Sequence, residues 1–332
     1  MTDLEKEDIK KIAESDLNWQ KLKNKRIMIS GGTGFIGSLM LDVFRYRNFR
    51  YGDGIRVISL SRSGGTSDET VEYIKHDITK PVDYAYNIDY IIHLASNTHP
   101  KQYADDPIGT ITTNIFGCNN LLKLAVEKKA RFLLASSVEI YGQGSEVPMN
   151  EQYCGYIDCN QARSGYNEAK RTCESLCQSY RKKYGVNVVI ARLARIFGAD
   201  KKNDTKAMSQ FIEKAVSRED IILKSKGNQR YSYCYVADAV SAIIKVLLDG
   251  IDGEAYNVSD DDEKKSLGEY AEYMAKLAGK KVIYQLENNP SVSKSTYALI
   301  NTEKIKKLGW MPMYSVSEGL NRTYKIYKER SL

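Results

Sequence analysis

Long apolar runs are missing from this sequence. The longest, such as Ile221-Ile222-Leu223, are far too short to span a bilayer. The opening residues, MTDLEKEDIKKIAESDL, alternate acidic and basic side chains without an apolar core, which is unlike a signal peptide. We therefore expect a cytoplasmic protein that does not associate with membranes.

Proline is also scarce, with six residues among 332, and glycine contributes 23. The chain is 42% hydrophobic and 27% charged, a globular composition that excludes a collagen, a low-complexity scaffold and a disordered chain. No C-x-x-C pair occurs. We expect reduced thiols, with neither disulfides nor a metal site, at the six cysteines, which are Cys118, Cys154, Cys159, Cys173, Cys177 and Cys234.

Like charges form only short clusters, such as Arg181-Lys182-Lys183, although the net charge is +7. Lysines and arginines are scattered among nearly as many acidic residues, and no zinc-finger or ribonucleoprotein pattern accompanies them. We therefore expect no nucleic-acid partner. A modest positive balance suits an enzyme whose substrate is a small polyanion.

Short apolar strands alternate with helical periodicity from Arg26 onwards. This alternation predicts a parallel sheet with helices on both faces, which is a doubly wound α/β Rossmann fold. Because 332 residues exceed the usual single core, we expect a smaller mixed α/β C-terminal substrate lobe as well.

The predicted parts are a helical N-terminal extension over 1–24, a Rossmann domain over 25–198, and the substrate lobe over 199–332, with about 232–260 returning to the sheet. The predicted strands are 26–30, 56–61, 71–75, 90–94, 131–136 and 187–192. One predicted helix begins at Ser38, and three others span 113–129, 166–184 and 238–248.

A glycine-rich segment, GGTGFIG (31–37), follows the first predicted strand and opens a helix. Its G-x-x-G-x-x-G spacing supplies glycine where the strand turns, where the backbone approaches a pyrophosphate and where the helix packs on the strand. The helix N-terminus offers free N–H groups and a partial positive charge to phosphates. Strand, loop and helix together favour a dinucleotide site over a turn without a ligand.

Tyr166 and Lys170 are four residues apart, on one face of a predicted helix. A lysine cation there would stabilise a phenolate, so that the tyrosine can act as a general base. The same spacing recurs at Tyr324 and Lys328, which we interpret as a surface helix. Ser136-Ser137 ends the strand before Tyr166, where a hydroxyl can bind a substrate hydroxyl or serve only in a strand-end turn.

Four segments resemble, in order and spacing, the extended short-chain dehydrogenase/reductase family of nucleotide-sugar epimerases, dehydratases and decarboxylases. They are GGTGFIG (31–37), HLAS (93–96), ASSVEIYG (135–142) and YNEAK (166–170), and the resemblance spans about residues 25–330. Within the family, HLASNTHPKQYADDPIGTITTNIFG (93–117), ASSVEIYG and ARSGYNEAKRTCESLC (162–177) are most similar to UDP-glucuronate decarboxylases, also called UDP-xylose synthases. The resemblance also implies a homodimer, formed through the helices over 113–129 and 166–184. The alternative is that both helices are covered within one chain.

The resemblance implies a role for each matching residue. Tyr166 would take the proton of a sugar hydroxyl, Lys170 would hold the nicotinamide ribose, and Ser137 would orient the same hydroxyl. Glu139 would lie near the sugar C5, or else be a strand carboxylate in an ion pair. The other implied cofactor-binding residues are Gly31, Thr33, Gly34, Phe35, Ile36, Gly37, Ser61, Arg62, Asp77, Ile78, Leu94, Ala95, Ser96 and Asn114. The other implied substrate-binding residues are Arg195, Lys206, Gln210 and Arg230.

Two of these assignments have a plain alternative, because Ala95 is also explained by packing and Asn114 by a cap at the start of a helix. Other positions depart from the family pattern. Ser61-Arg62 stands at the place where NAD-using relatives have an acidic residue, and Arg62 admits NADP as well as NAD. Arg195 replaces an asparagine, and Tyr231 replaces an arginine that occurs one position early, as Arg230.

The activity implied by the resemblance is NAD(P)-dependent modification of a nucleotide-diphosphate sugar, beginning with oxidation of its C4 hydroxyl. A C6 carboxylate then becomes part of a β-keto acid, which loses carbon dioxide. Such a carboxylate would need a cationic partner, for which Arg195 and Arg230 are the alternatives. Val138 stands where dehydratases have aspartate and decarboxylases have serine, and valine cannot protonate a leaving hydroxyl. The alternatives are a nucleotide-sugar 4-epimerase, a 4,6-dehydratase, an NADPH-dependent reductase and, outside catalysis, a dinucleotide-sensing regulator.

Overall fold

Runs of aliphatic and β-branched residues form the strands of the central sheet. The computed structural model describes residues 1–96, 105–200, 206–260, 264–286 and 297–331, so part of the 93–117 segment lies outside the described residues. The strands are β1 Arg26–Ser30, β2 Arg56–Ser61, β3 Val71–Lys75, β4 Tyr90–His93, β5 Arg131–Ser137, β6 Val188–Leu193, β7 Arg195–Phe197, β8 Ile221–Leu223, β9 Arg230–Tyr231, β10 Tyr233–Tyr235, β11 Ala255–Val258, β12 Val282–Tyr284 and β13 Tyr297–Ala298.

Helices follow most strands. They are α1 Asp3–Glu14, α2 Phe35–Tyr51, α3 Pro107–Lys128, α4 Gly165–Tyr184, α5 Ala207–Val216, α6 Val236–Asp249, α7 Leu267–Ala278, α8 Glu303–Lys306 and α9 Val316–Arg330. Short 3-10 helices form at Trp19–Leu22, Val138–Tyr141 and Ala162–Ser164.

Seven strands form one sheet in the order β11-β6-β5-β4-β1-β2-β3, and all of its pairings are parallel. The strand order reverses between β1 and β4, which is where an open α/β sheet has its binding crevice, at the carboxyl ends of the strands. The predicted fold class, a doubly wound Rossmann sheet, is confirmed. Three two-stranded parallel pairs, β10-β7, β12-β8 and β13-β9, lie outside this sheet. The predicted domain limits stay a prediction.

Side chains alternate between two cores on the two faces of the sheet. In β1, Ile27 and Ile29 join the larger core, whereas Met28 joins the core that α3 and α4 cover. Alternation of this kind follows from the two-residue period of a strand. The larger core also takes in residues of α5, α6, α7 and α9, so apolar packing continues from the sheet into the C-terminal part.

The N-terminal helix is shorter than predicted, and it is held by the far end of the chain. α1 ends at Glu14 rather than continuing to residue 24, because Ser15 takes an extended conformation at its C-cap. Ile9 and Ile12 are buried in the larger core. On the same helix, Asp8 pairs with Arg322 of α9 at 2.7 Å and accepts a 2.6 Å hydrogen bond from the Tyr235 hydroxyl.

Most predicted strands match the structure to within one residue, whereas α2 and α3 start earlier than predicted. α3 begins at Pro107, six residues before the predicted start at Thr113. Asp106 caps it by accepting a 2.8 Å hydrogen bond from the Gly109 N–H, and proline is tolerated in a first helical turn because its N–H is not needed there. In the part of the chain that the structure describes, no helix combines the length and apolar character needed to cross a membrane.

Candidate active site

The glycine-rich loop between β1 and α2 can be built only from glycine at two positions. Gly31 has φ +78°, and a Cβ there would lie 2.8 Å from the Ala95 nitrogen. A Cβ on Gly37 would lie 2.4 Å from the Gly31 carbonyl oxygen, where α2 packs on the loop. Gly34 is the N-cap of α2 and contributes no side chain that could occupy the first N–H groups. The loop therefore fits a dinucleotide pyrophosphate, whose approach requires bare backbone.

The remaining residues of this loop lie around the start of α2. The Thr33 hydroxyl is 3.4 Å from the Ser63 hydroxyl, which follows β2. Phe35 and Ile36 form the first turn of α2 and pack, partly buried, against the larger core. The structure thus joins the glycine loop to the end of the second strand.

The ends of β2 and β3 carry the next predicted cofactor residues. Ser61 is buried, and its hydroxyl accepts a 3.0 Å hydrogen bond from the Gly64 N–H. Arg62 is exposed, and it forms no ion pair with the residues that the structure describes. Asp77 is exposed, and hydrogen bonds from the Thr79 N–H and hydroxyl lower the pKa of its carboxyl. The backbone carbonyl of Ile78 accepts a 3.1 Å bond from an asparagine of α3.

A chain of hydrogen bonds links the end of β4 to β1 and α3. The Leu94 N–H donates to the Ser30 carbonyl at 3.1 Å, and the Ala95 N–H donates to the Ser30 hydroxyl at 3.2 Å. The Ser96 hydroxyl donates to Asn114 Oδ1 at 2.8 Å. Asn114 is fully buried inside α3, so the alternative of a helix-start cap is wrong; the helix begins at Pro107.

His93, the last residue of β4, was not assigned a role from the sequence. Its Nδ1 lies 2.7 Å from the Ser30 hydroxyl, and the ring is fully buried. Burial, together with the nearby positive charge of Lys170, lowers the pKa of His93 to about 3, so the ring is neutral. The one available signal was a histidine within an otherwise apolar strand.

Tyr166 and Lys170 lie in the first turns of α4, facing the end of β5. Tyr166 is 5% exposed and Lys170 is 3% exposed. Lys170 Nζ donates a 2.9 Å hydrogen bond to the Ala135 carbonyl and lies 5.8 Å from the centroid of the Tyr166 ring. Ser137 ends β5, and its hydroxyl accepts a 3.2 Å bond from the Glu139 N–H. The structure therefore brings these predicted residues to one strand end.

The two serines of the Ser136-Ser137 pair have different surroundings. Ser136 is buried and donates a 2.6 Å bond to Glu174 Oε1, while Glu174 is also paired with Arg192 at 2.7 Å. Of the two serines, Ser137 is therefore the one that can bind a substrate hydroxyl at the end of β5. The hydroxyl of Ser136 belongs to a buried network between the sheet and α4.

Glu139 lies in the 3-10 helix after β5, and its side chain is 41% exposed. Its Oε1 is 3.4 Å from Arg195 Nη2. Asn167, the neighbour of Tyr166, donates to the Glu139 carbonyl at 2.8 Å and approaches Oε2 at 3.4 Å. Asn167 was not singled out from the sequence, because its type and spacing fit an ordinary helix position. Val138 is buried in the larger core.

The two predicted substrate arginines point to different neighbours. The Arg195 guanidinium lies 3.9 Å from the centroid of the Tyr231 ring. Arg230 pairs instead with Glu269 of α7 at 3.5 Å and donates to the Lys264 carbonyl. The structure thus joins Arg195 to Glu139, whereas Arg230 of β9 contacts Glu269 of α7. Lys206 and Gln210 lie at the start of α5, where the Gln210 N–H donates to the Lys206 carbonyl at 3.0 Å.

The arrangement can bind a dinucleotide along the glycine loop and present a phenol, an ammonium and a carboxylate beside it. Among the described residues, no group of three or more histidine, cysteine, aspartate or glutamate side chains is placed to hold a metal ion. All six cysteines are free thiols, and four of them are buried.

Comparisons with known proteins agree with this geometry. A sequence profile of the NAD-dependent epimerase/dehydratase family matches residues 27–259. UDP-glucuronic acid decarboxylase 1 of Danio rerio is 32% identical over 315 residues, which cover 91% of this chain and 72% of that protein. UDP-glucuronic acid decarboxylase 3 of Arabidopsis thaliana is 33% identical over 308 residues, with 90% and 87% covered. The crystal structure of UDP-glucose 4-epimerase from Thermotoga maritima has a TM-score of 0.78 at 22% identity, covering 92% of this chain and 100% of that one. The chain belongs to the NAD-dependent epimerase/dehydratase family.

Proposed function

We propose that this enzyme converts UDP-glucuronate to UDP-xylose by decarboxylation, with NAD as its cofactor. The observation that carries the proposal is the pairing of Glu139 with Arg195 beside Tyr166, next to a buried valine at position 138. The similarity to two UDP-glucuronic acid decarboxylases along about nine-tenths of the chain supports the same reaction.

Each catalytic residue has a task in this proposal. When bound, NAD supplies the reversible oxidation of the sugar C4 hydroxyl. Tyr166 takes the proton of that hydroxyl, the Lys170 ammonium stabilises the phenolate, and Ser137 orients the hydroxyl. The hydrogen bond to the Ala135 carbonyl holds the Lys170 ammonium 5.8 Å from the centroid of the Tyr166 ring. The chain thus contributes orientation and proton management.

Carbon dioxide leaves once the C4 position is a ketone. The C5–C6 bond then breaks, its electron pair is delocalised onto the ketone oxygen, and C5 takes up one proton. Glu139 is the residue that we place at C5. No acid is needed for the departing carbon dioxide, so Val138 is compatible with this reaction, whereas a dehydratase must protonate a leaving hydroxyl.

Mass spectrometry after incubation with UDP-glucuronate and NAD tests the proposal. We expect a product lighter by one carbon dioxide. Loss of water from a neutral hexose nucleotide would identify a dehydratase, and isomerisation without a change of mass would identify a 4-epimerase. Glu139→Gln should strongly slow the C5 step of a decarboxylase but leave an epimerase almost unaffected, because epimerisation involves no chemistry at C5.

NAD is preferred over NADP in this proposal by a small margin. A reaction that oxidises its sugar and then reduces it again has no need of NADPH. Arg62 argues in the other direction, because its exposed guanidinium follows β2 and can pair with a 2′-phosphate. Calorimetric titration of both oxidised cofactors decides between them.

We also propose a homodimer formed through α3 and α4. Ile108 and Phe116 of α3 are 74% and 51% exposed, although they lie on a helix that packs along α4. Burying such side chains is favourable. Sedimentation velocity should show a dimer, and Phe116→Asp should shift it towards the monomer.

The proposed location remains the cytoplasm, in keeping with six free thiols.

A further inference from the structure

Arg195 stacks on the ring of Tyr231 and faces the carboxylate of Glu139. We propose that Arg195 selects a sugar that carries a carboxylate, and that Glu139 occupies the place of that carboxylate until the substrate arrives. Binding of the acidic sugar then exchanges one carboxylate for the other on Arg195. This inference rests on the proposed function, because it assumes a substrate with a carboxylate at C6.

Contacts fix the plane of the Arg195 guanidinium but use only part of its hydrogen-bonding capacity. Its guanidinium stacks at 3.9 Å on the Tyr231 ring, and its backbone N–H donates to the Ser232 carbonyl at 3.2 Å. Its Nη2 faces Glu139, whereas its Nη1 is buried and has no hydrogen-bond partner among the described residues. A buried N–H group without a partner is costly, and a planar guanidinium binds a carboxylate best through two parallel bonds.

Glu139 satisfies only part of this demand. Its single contact with Arg195, at 3.4 Å, is longer than the roughly 2.7–2.9 Å of a strong charged hydrogen bond. The Glu139 side chain is also 41% exposed, so water competes for its carboxylate. Asn167 holds the other oxygen and the backbone carbonyl, and it can therefore retain Glu139 when Arg195 turns to another partner.

A substrate carboxylate can bond to both Nη1 and Nη2 and so satisfy the buried donor. Two carboxylates on one guanidinium repel each other, so the better-bonded one displaces the other. Glu139 would then be released from its cation while still tethered beside Tyr166. A neutral sugar offers no such partner and leaves the Arg195–Glu139 pair intact. Recognition of the carboxylate and release of Glu139 are therefore one event.

Arg230 is poorly placed for this role. It precedes Tyr231 in β9, and successive side chains of a strand point to opposite faces. Tyr231 faces Arg195, so Arg230 faces the other way, where it pairs with Glu269. The structure thus separates the two arginines that the sequence left as alternatives.

Calorimetric binding of UDP-glucuronate and UDP-glucose tests the exchange, in a Tyr166→Phe background that strongly slows turnover. The two ligands differ only in a carboxylate and a hydroxymethyl group. We expect Arg195→Ala to weaken UDP-glucuronate binding about 10- to 100-fold, the usual effect of losing a charged hydrogen bond, and to change UDP-glucose binding less than about threefold. Glu139→Gln should tighten UDP-glucuronate binding about three- to tenfold, because the competing carboxylate is gone. In the Arg195→Ala protein the Glu139 substitution should have no further effect.

Three results would overturn the inference. They are an equal loss for both ligands in Arg195→Ala, weaker UDP-glucuronate binding in Glu139→Gln, and a loss of discrimination in Arg230→Ala instead of Arg195→Ala. Thermal unfolding of each variant shows whether it is folded. The proposed function fails separately, if the wild-type enzyme with NAD releases no carbon dioxide from UDP-glucuronate. If the wild type decarboxylates UDP-glucuronate but one of the three results is obtained, the exchange is wrong and the proposed function stands.

Discussion

Two helices of this protein carry a tyrosine and a lysine at the same spacing, but only one pair faces the crevice. Lys170 Nζ lies 5.8 Å from the Tyr166 ring in α4, and Lys328 Nζ lies 5.4 Å from the Tyr324 ring in α9. Lys170 is buried and bonded to the end of β5, whereas Lys328 is exposed. The local geometry is nearly the same. What differs is the end of β5, which tertiary structure brings to α4.

The comparison also shows what each helix end is attached to. The start of α4 meets the backbone carbonyls of Ala135 and Glu139 through Lys170 and Asn167. The start of α9 is held by two buried carboxylates, because the Val316 N–H donates to Asp260 and the Met313 N–H donates to Asp238. One helix end is arranged around a reacting group and the other around structural anchors.

The largest expected effect breaks the comparison directly. Tyr166→Phe should cut turnover on UDP-glucuronate by about 10²- to 10⁴-fold, the usual contribution of a positioned acid–base group, while folding and cofactor binding stay near normal. Tyr324→Phe is the matched control and should leave steady-state kinetics unchanged. Near wild-type turnover in the Tyr166 variant would show that another group is the base.

The lysines give the second test. Lys170→Met removes the buried ammonium beside the phenol, so we expect turnover to fall about 10²-fold and cofactor binding to weaken. Lys328→Met removes an exposed ammonium and should change neither quantity. Both are measured by steady-state kinetics with NAD titrated. Equal behaviour of the two variants would mean that the buried surroundings of Lys170 give it no catalytic role.

A third prediction concerns the anchor beside α9. Burial raises the pKa of Asp238 to about 7, so the folded protein holds a proton that the unfolded chain, with a pKa of 3.8, releases. The stability from this proton is fully present below pH 3.8 and is lost as the pH rises through about 7. At 1.36 kcal/mol per pH unit, raising the pH from 5.5 should cost about 2 kcal/mol by the time Asp238 has ionised.

Chemical unfolding at pH 5.5 and pH 8 measures this loss in the wild type and in Asp238→Asn. The asparagine can still accept from the Met313 N–H but cannot ionise, so its stability should depend less on pH. An unchanged pH dependence would show that Asp238 does not titrate in this range. Activity at a fixed pH should not change, because the residue lies at the structural helix end.

The smallest effect is expected at Arg62, which is exposed like Lys328 but follows β2 at the crevice end of the sheet. Arg62→Ala should lower the NADP/NAD affinity ratio about three- to tenfold, because a guanidinium after β2 can pair with a 2′-phosphate. Calorimetric titration with both oxidised cofactors gives the ratio. A ratio that does not move would show that Arg62 only faces solvent.

Much of the sheet could be predicted because its strands are continuous apolar runs, such as RIMIS in β1, which only a doubly covered sheet requires. The short strands β7 and β9 have no such pattern, since two or three residues cannot show a period. For that reason the sequence could not decide between Arg195 and Arg230, which depends on the face of β9. Asn167 and His93 were missed for a related reason, as their importance lies in the carbonyl and hydroxyl that the fold brings to them.

The docking of α1 on α9 has a consequence for the making of this protein. Arg322 and Glu7 are in contact although 315 residues separate them along the chain. During synthesis, α1 therefore emerges from the ribosome long before the helix that pairs with Asp8 exists. The carboxylate of Asp8 lacks its cationic partner until translation has passed Arg322. The contact between α1 and α9 should thus form late in biogenesis, and a ribosome-bound chain stalled before Arg322 could not form its Asp8–Arg322 pair.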